Sequence, residues 1–433
     1  MRTFVLAPLP GCPRCNVGTR KPVVALRAHH RLCSRHPFGV QGVSPLPASS
    51  LSSLVSRLSL CYSSRGMAHP QISEDTFLSA PAKSLVLEEG FTFASGERLA
   101  PFTIAYETFG ELNADRSNAI LACHALSPSA HVAGKYHPDD AKAGWWDGLV
   151  GYGKGIDLDH WFVVCANIPG SCCGTTDPRS IDPRTGRPYG SRYPFVEISD
   201  MVRVEKAVLD HLGITRLKSI AGGSLGGMQV LMWPAMFPEM VESIIAMAAG
   251  AAVPPHGIAW HVIGRKIIEN DPGFNGGDYY DLNEPLRGLQ IARMVGHMTY
   301  LSTQGLDFKF GRRRRGPTRQ FEVDSYLEYQ GQKFSRMYDA NSYIRLQAAM
   351  DEMDLAEEYG SLEDALRRFE GRALLISFDT DWLFPTGEVS KVHEALRAVG
   401  ADSTHLDLAT PNGHDAFLID YPLITPPVRE FLE

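Results

Sequence analysis

Three features are scarce in this sequence, and each scarcity excludes a class of protein. The 433-residue chain has no uninterrupted apolar stretch long enough for a membrane-spanning helix, which needs about eighteen residues. It has no surplus of positive charge, because 42 Lys and Arg against 49 Asp and Glu give a net charge of −7. We therefore expect neither a membrane nor a nucleic acid as partner. Eight cysteines are too few for a disulfide scaffold at this length, which favours reduced thiols in an intracellular compartment.

Acidic residues are missing from the beginning of the chain. None precedes Glu74, although arginine is frequent there, and this composition is typical of an organellar transit peptide. Repeated prolines would break the amphipathic helix that such a peptide needs. Residues 1–66 are therefore predicted to lie outside the fold, either as a cleavable leader or as a mis-annotated extension. A leader predicts a mitochondrial protein, and a start at Met67 predicts a cytoplasmic one.

From about residue 84, short apolar runs alternate with amphipathic helical stretches. One helix would be capped by Ser199 or Asp200 and end at Gly213, and others would lie near 228–233 and 389–399. Strands that alternate with helices predict an α/β fold with a mostly parallel, doubly wound sheet. The runs that predict strands are 102–110, 119–124, 161–166, 217–221, 242–248, 373–378 and 405–409.

Residues 251–355 interrupt this alternation. They contain helical stretches at 286–301 and 341–353 but no clear strand, which predicts a helical insertion between two parts of one α/β domain, 67–250 and 356–433. The insertion also contains Arg312–Arg315, the one basic cluster of the chain, which is predicted to be a solvated loop.

The segment AGGSLGG at residues 221–227 sets one serine among four glycines. Gly222 to Gly226 fit the pattern G-x-S-x-G between a predicted strand and a predicted helix, which is typical of a nucleophile elbow. The alternatives are a plain tight turn or a phosphate-binding loop, but no Gly-Lys-Ser/Thr follows. The pattern therefore indicates Ser224 as a nucleophile.

A serine nucleophile needs a histidine base and a carboxylate that holds the base. In this fold class the chain order is Ser, acid, His. His414 is the best placed base, because it follows the last predicted strand in a loop. Asp379 and Asp381 both follow the strand at 373–378, and spacing alone does not choose between them. The histidines available in the C-terminal part are His393, His405 and His414.

Several longer segments together resemble one known family, the homoserine O-acetyltransferases of the α/β-hydrolase fold. The resemblance covers most of residues 84–433. The segments are CHAL (123–126), GWWDGLVG (144–151), GRPYG (186–190), GGSLGGMQ (222–229), ARMVGHMTYLS (292–302), SYLEYQGQKF (325–334), DANSY (339–343), DWLFP (381–385) and NGHDAF (412–417).

The resemblance implies a role for each matching residue. It implies Ser224 as nucleophile, His414 as base and Asp381 as acid, with the oxyanion bound by the backbone amides of Leu126 and Leu225.

The resemblance also implies an acceptor site and an assembly. Arg293 and Asp415 match the positions that hold the amino-acid acceptor, and a zwitterion needs such a cation and anion. It further implies a helical lid with a tunnel for the pantetheine arm, acyl-CoA as co-substrate with no bound cofactor or metal, and a homodimer formed through the insertion helices.

The implied reaction is a ping-pong transfer of an acetyl group from acetyl-CoA to L-homoserine in methionine biosynthesis. One departure favours a second acceptor. After Leu126 this chain continues Ser-Pro-Ser-Ala-His (127–131) rather than Thr-Gly, which looks more like relatives that acetylate or succinylate L-serine for cysteine biosynthesis. An esterase and a non-catalytic binding protein are the remaining alternatives. The second would be expected to lack one of the three predicted catalytic residues.

Overall fold

The computed structural model describes residues 82–140, 142–281 and 286–433, and the predicted leader or extension at 1–66 lies outside them. Eight strands of the described part form one sheet. They are β1 (Lys83–Leu87), β2 (Phe102–Phe109), β3 (Ala119–Cys123), β4 (Phe162–Ala166), β5 (Ser219–Gly223), β6 (Ser243–Met247), β7 (Arg372–Phe378) and β8 (Asp402–Leu408).

The order of strands across this sheet is β1-β2-β4-β3-β5-β6-β7-β8. Strand β2 runs antiparallel to β1 and β4, and the remaining neighbours pair in parallel. Strands β3, β4, β5 and β6 are buried along their whole length, which explains why they read as continuous apolar runs. The predicted α/β class with a mostly parallel sheet is confirmed.

Helices cover the sheet and form the segment between β6 and β7. Those outside that segment are α1 (Ile198–His211), α2 (Leu225–Met236), α10 (Thr386–Ala398), α11 (Ala416–Ile419) and α12 (Tyr421–Leu432). Those between β6 and β7 are α3 (Pro255–Glu269), α4 (Arg287–Tyr300), α5 (Thr303–Lys309), α6 (Glu322–Ser335), α7 (Ala340–Glu352), α8 (Leu355–Tyr359) and α9 (Leu362–Leu366).

Short elements complete the described chain. Four 3₁₀ helices lie at Gly190–Arg192, Pro238–Met240, Pro272–Gly277 and Gly413–Asp415. Three two-residue strand pairs join Phe91–Thr92 to Arg98–Leu99, Val150–Gly151 to Ile156–Asp157, and Ile181–Asp182 to Arg187–Pro188.

Two predicted helix starts are wrong. Helix α1 is capped by Glu197 rather than by Ser199 or Asp200, and Asp200 instead accepts a hydrogen bond from the Glu197 amide at 2.9 Å. Helix α2 begins at Leu225, directly after Ser224, rather than near residue 228. The sequence does not predict this first turn, because Gly226 and Gly227 have low helix propensity.

Two predicted strand ends also move. Strand β5 runs through Gly222 and Gly223, which the prediction left in the turn. Strand β8 begins at Asp402 rather than at residue 405, and the prediction missed its first three residues because they are polar and show no apolar pattern. The other predicted strands lie within two residues of their observed bounds.

The chain between β6 and β7 is a helical insertion in the sheet. Helices α4 and α7 correspond to the stretches predicted at 286–301 and 341–353. The exact domain boundaries at 251 and 355 stay predictions. None of the described helices combines the length and the apolar character required to cross a bilayer.

The parallel strands deliver three loops to one edge of the sheet. Ser224 follows β5, Asp381 follows β7, and His414 follows β8, each just beyond the carboxyl end of its strand. In open α/β sheets this edge is where ligands bind. The fold thus brings together residues that are far apart in the sequence.

Candidate active site

Ser224 occupies a strained turn between β5 and α2. Its backbone lies at φ 57° and ψ −127°, a region that L-residues rarely adopt. The turn is fixed on both sides, because the Ser224 amide donates to the Met247 carbonyl at 3.0 Å and the Met228 amide donates to the Ser224 carbonyl at 3.0 Å. The strain is therefore held by β6 and by the first turn of α2.

The glycines around Ser224 are required by close backbone approach. A Cβ atom on Gly226 would lie 2.1 Å from the carbonyl oxygen of Cys123, at the end of β3. A Cβ on Gly222 would lie 2.6 Å from the carbonyl of Gly226. No side chain fits at either position, because the obstructing atoms are backbone. Strand β5, helix α2 and the end of β3 can therefore meet only if these residues are glycine.

A hydrogen-bonded chain joins the serine hydroxyl, an imidazole and a carboxylate. The Nε2 atom of His414 lies 2.8 Å from the Oγ of Ser224, and its Nδ1 lies 2.7 Å from the Oδ2 of Asp381. All three side chains are buried, with exposed fractions of 7%, 2% and 4% for Ser224, His414 and Asp381. This is the arrangement in which a histidine can take a proton from serine.

The second oxygen of Asp381 is held by the backbone. Its Oδ1 accepts from the amides of Leu383 at 2.9 Å and Phe384 at 3.0 Å, which fixes the carboxylate for His414. Asp379, the other acid candidate, is exposed and accepts from the Thr410 amide at 2.9 Å. The geometry therefore brings Asp381, and not Asp379, to the imidazole.

The two other candidate bases lie in a different place. His393 pairs with Ser403 at 2.9 Å, and His405 pairs with Ser377 at 2.8 Å. Both imidazoles are hydrogen-bonded to these serines near α10 and β8, and neither pairs with Ser224.

Electrostatics around His414 favour its protonated form. Burial lowers the pKa of His414, but the charge of Asp381, its hydrogen bond and the charge of Asp415 outweigh burial, so the pKa lies above its ordinary value of 6.5. Such a group accepts a proton readily, and the neighbouring carboxylates stabilise the cation that results.

The two candidate oxyanion donors lie on segments that are tied together. Leu225 is the first residue of α2, so its amide has no partner within the helix. Gln229 donates from Nε2 to the carbonyls of Leu225 and His124, both at 3.1 Å, and so joins α2 to the loop that carries Leu126. The Tyr338 hydroxyl donates to the Leu126 carbonyl at 2.6 Å. Sequence reasoning missed Gln229 and Tyr338, although both are in or beside motif segments.

Arg293 of α4 stands over two aromatic rings. Its guanidinium carbon is 4.4 Å from the Phe334 ring centre and 5.1 Å from that of Tyr300. Within the described ranges, no carboxylate lies within the 4.0 Å ion-pair distance of this guanidinium. Stacking therefore fixes the group while leaving its charge available to an incoming anion.

Asp415 is half-buried and follows His414 directly. Burial raises the pKa of Asp415, and the positive charges of His414 and Arg293 act against that rise. A buried carboxylate is stabilised by an added cation, and Arg293 and Asp415 act on each other electrostatically next to His414.

His297 is a neighbour that sequence reasoning did not single out. It lies one turn after Arg293 on α4, is 5% exposed, and neither ring nitrogen has a hydrogen-bond partner within the described residues. Burial and the charges of Arg293 and Lys309 lower the pKa of His297 to about 3. This imidazole is therefore neutral at physiological pH and adds no second cation.

Together these groups can carry out acyl transfer through serine. A buried Ser-His-Asp chain supplies a nucleophile and a base, the start of α2 supplies the Leu225 amide, and Arg293 and Asp415 add a guanidinium and a carboxyl group that act electrostatically near His414. Among the residues that the structure describes, no cluster of three metal-ligating side chains occurs.

Comparison with known proteins identifies the fold and the relatives. A family model described as the alpha/beta hydrolase fold matches residues 118–418. The homoserine O-acetyltransferase of Deferribacter desulfuricans is 46% identical over 356 residues, which cover 81% of this chain and 94% of that protein.

Solved structures agree on the fold but carry two different activities in their names. The crystal structure of homoserine O-acetyltransferase from Bacillus anthracis has a TM-score of 0.77 at 30% identity, covering 82% of this chain and 98% of that one. Esterase E22 has a TM-score of 0.76 at 28% identity, covering 82% and 100%. The scaffold alone therefore does not separate transfer to an acceptor from transfer to water.

Proposed function

This chain belongs to the homoserine O-acetyltransferase family, acyltransferases of the α/β-hydrolase fold, and from that premise we propose that it moves an acetyl group from acetyl-CoA to the side-chain hydroxyl of L-homoserine. The product would enter methionine biosynthesis. Acetyl-CoA is a co-substrate in this proposal, and no bound cofactor or metal takes part.

The first half-reaction loads the enzyme. The Oγ of Ser224 attacks the thioester carbon while His414, oriented by Asp381, accepts the hydroxyl proton. The amides of Leu126 and Leu225 donate to the oxyanion of the tetrahedral intermediate. The carbon–sulfur bond then breaks, His414 gives its proton to the leaving thiolate, and an acetyl ester remains on Ser224. The hydrogen-bonded chain of 2.8 Å and 2.7 Å supports these roles.

The second half-reaction transfers the acetyl group. His414 removes the proton of the acceptor hydroxyl, which attacks the ester carbon, and Ser224 recovers its proton as the ester bond breaks. Arg293 binds the α-carboxylate and Asp415 the ammonium group of the acceptor, so that its hydroxyl faces the imidazole.

The observation that carries transfer over hydrolysis is the pair Arg293 and Asp415. An esterase that uses water has no need of an unpaired guanidinium and a carboxylate beside the base. A bound acceptor must react faster than bulk water, and fixed orientation supplies effective concentrations of about 10⁵–10⁸ M. The pair therefore supports an amino-acid acceptor.

L-Serine is a second candidate acceptor. The loop Ser127–His131 differs from the Thr-Gly of the acetyltransferases and directly follows Leu126. His131 Nδ1 lies 2.9 Å from the buried Glu107, which anchors this loop next to the proposed oxyanion donor. A change there can alter the depth available to the acceptor and the acyl donor.

A substrate matrix tests the proposal. Acetyl-CoA and succinyl-CoA are each assayed by thiol release with L-homoserine, L-serine or no acceptor, and acetyl-CoA with L-homoserine is expected to give the highest kcat/KM. Thiol release that is independent of any acceptor would contradict transfer and indicate a hydrolase.

Trapping the intermediate tests the nucleophile. With acetyl-CoA alone, peptide mass spectrometry is expected to find an acetyl group on the peptide that contains Ser224. Ser224→Ala should lose that adduct and about 10⁴-fold or more in kcat. A variant that keeps more than about a tenth of the activity would refute the assignment.

We extend the proposal to assembly and access. The helices between β6 and β7 act as a lid that forms a tunnel for the pantetheine arm, and two chains associate through them. Exposed apolar side chains on this segment support an interface. They are Val262, Ile263, Ile291, Phe308, Tyr329 and Met337.

A further inference from the structure

The end of α5 and the loop that follows it, residues 309–319, concentrate positive charge in an acidic protein, and we call them the basic segment. Lys309, Arg312–Arg315 and Arg319 are all exposed, whereas the chain as a whole has a net charge of −7. Acyl-CoA is a strongly anionic substrate, and an acidic protein repels it unless the path to the site carries local positive charge. The basic segment is therefore a candidate for the part of the protein that the phosphates of CoA meet.

Most of this charge has no carboxylate partner. Arg313 pairs with Glu322 at 2.8 Å. For Arg312, Arg314 and Arg315, no carboxylate in the described part of the chain lies within 4.0 Å. Three of the four consecutive arginines thus have no acidic partner among the described residues.

Their positions are nonetheless defined. The guanidinium carbons of Arg314 and Arg312 lie 4.3 Å and 5.7 Å from the ring centre of Phe321. Arg315 donates from Nη1 to the Ser325 hydroxyl at 2.7 Å, on the first turn of α6. A solvated loop does not require these contacts, and guanidinium groups held in this way bind phosphate with less loss of entropy.

Helix α5, which leads into the basic segment, begins next to the active site. Ser302, which caps α5, donates its hydroxyl to the carbonyl of Pro411, three residues before His414. Helix α5 has seven residues and therefore rises about 10 Å from that anchor. The arginines follow the C-terminal end of this helix, so along the chain the whole of α5 separates them from the anchor near His414.

A second set of contacts connects the same segment to the acceptor side. The ammonium of Lys309 lies 4.3 Å from the Tyr326 ring centre, and the Tyr326 ring is 5.6 Å from that of His297 on α4. Tyr326 directly follows Ser325, the partner of Arg315. Helix α6, which contacts Lys309 and Arg315, thus links the basic segment to the helix that carries Arg293.

We propose that Arg312, Arg314 and Arg315 bind the 3′-phospho-ADP part of acyl-CoA. Arginine binds phosphate oxygens through two parallel hydrogen bonds and stacks on aromatic planes, which suits both the phosphates and the adenine ring. This inference rests on the proposed function, because it takes acyl-CoA as the donor.

Calorimetric titration with CoA and with pantetheine tests the site without turnover. Arg312→Ala combined with Arg314→Ala is expected to weaken CoA binding about ten- to a hundredfold, since two charge-assisted contacts are lost. Pantetheine, which lacks the nucleotide, should bind unchanged. Both arginines are exposed, so the fold should be intact, and unchanged turnover of acetyl-pantetheine verifies this.

A matched variant controls for net charge. Arg216→Ala with Arg368→Ala removes two exposed positive charges at the opposite edge of the sheet, before β5 and β7. It should bind CoA as the native protein does. Equal weakening by both double variants would show a general field effect and overturn the assigned site.

The outcomes also separate this inference from the proposed function. If native protein and the Arg312/Arg314 variant bind CoA equally while acetyl transfer persists, the site is wrong and the function stands. If native protein neither binds CoA nor releases thiol from acetyl-CoA, the proposed function itself fails.

Discussion

Two carboxylates influence the imidazole of His414, and they act on it differently. Asp381 accepts a hydrogen bond from Nδ1 at 2.7 Å and so fixes which nitrogen faces Ser224. Asp415 adds negative charge from the neighbouring position and, in the proposed function, binds the ammonium group of the acceptor. Asp381 thus orients the base, and the negative charges of Asp381 and Asp415 both raise its pKa.

This environment predicts the pH dependence of the reaction. The base must be neutral, and the raised pKa means that it becomes protonated at a pH above 6.5. We expect kcat/KM for acetyl-CoA to fall about tenfold per pH unit once the pH drops below that pKa. Asp381→Asn should move this fall to lower pH, because it removes the charge that raises the pKa, and should reduce kcat by about 10⁴-fold.

Thiol release measured from weakly acidic to alkaline pH, for the native protein and for Asp381→Asn, checks both expectations. A rate that stays constant from weakly acidic to neutral pH would contradict a histidine base.

The site residues differ in how far the sequence determines them. Ser224 follows from a local pattern that includes its strand and its helix. The choice between Asp379 and Asp381 does not follow from a local pattern, because both residues follow β7 at similar spacing. It depends on the loop after the strand, where the amides of Leu383 and Phe384 turn back to hold Asp381. Only three-dimensional structure, or resemblance to a family, supplies that information.

At the scale of elements, the junction of β5 and α2 depends on close backbone contact. Gly226→Ala would set a Cβ 2.1 Å from the Cys123 carbonyl, and neither β3 nor α2 can move without disturbing the elbow. We expect the free energy of unfolding to fall by about 3 kcal/mol. Urea unfolding followed by fluorescence measures it.

Gly387→Ala is the matched control. Gly387 lies in the first turn of α10, is exposed, and has no atom within 4 Å of its added Cβ. The same chemical change should raise the free energy of unfolding by up to about 1 kcal/mol. Equal effects at both sites would show that close approach is not what selects glycine at 226.

The same junction shows why element boundaries were predicted less well than the elements. Glycine has low propensity for both strand and helix, so propensity assigns Gly222 to Gly227 to a turn. Tertiary contact overrides this, since the residues without side chains are those that let β5 and α2 pack against β3. The strongly apolar strands β3 and β6, which are buried on both faces, were predicted within one residue.

At the scale of the whole molecule, the parallel sheet converts distance in sequence into proximity. Ser224, Asp381 and His414 follow β5, β7 and β8, whose carboxyl ends share one edge. The insertion lies between β6 and β7, so α4 carries Arg293 to that edge from outside the sheet. One sheet thus provides the reacting groups, and one insertion provides the group proposed to select an amino acid.

The proposed dimer follows from what this insertion leaves exposed. Ile263 of α3 and Ile291 of α4 have exposed fractions of 45% and 39%. Burying an isoleucine side chain contributes about 1.5–3 kcal/mol. We expect native protein to have twice the mass of one chain by light scattering, and the double variant Ile263→Glu with Ile291→Glu to have the mass of one chain.

The double variant Val86→Glu with Ile181→Glu is the control, because it changes two exposed side chains outside the insertion and should remain dimeric. Native protein that sediments as a single chain at micromolar concentration would contradict the dimer, and dissociation by both double variants would place the interface elsewhere.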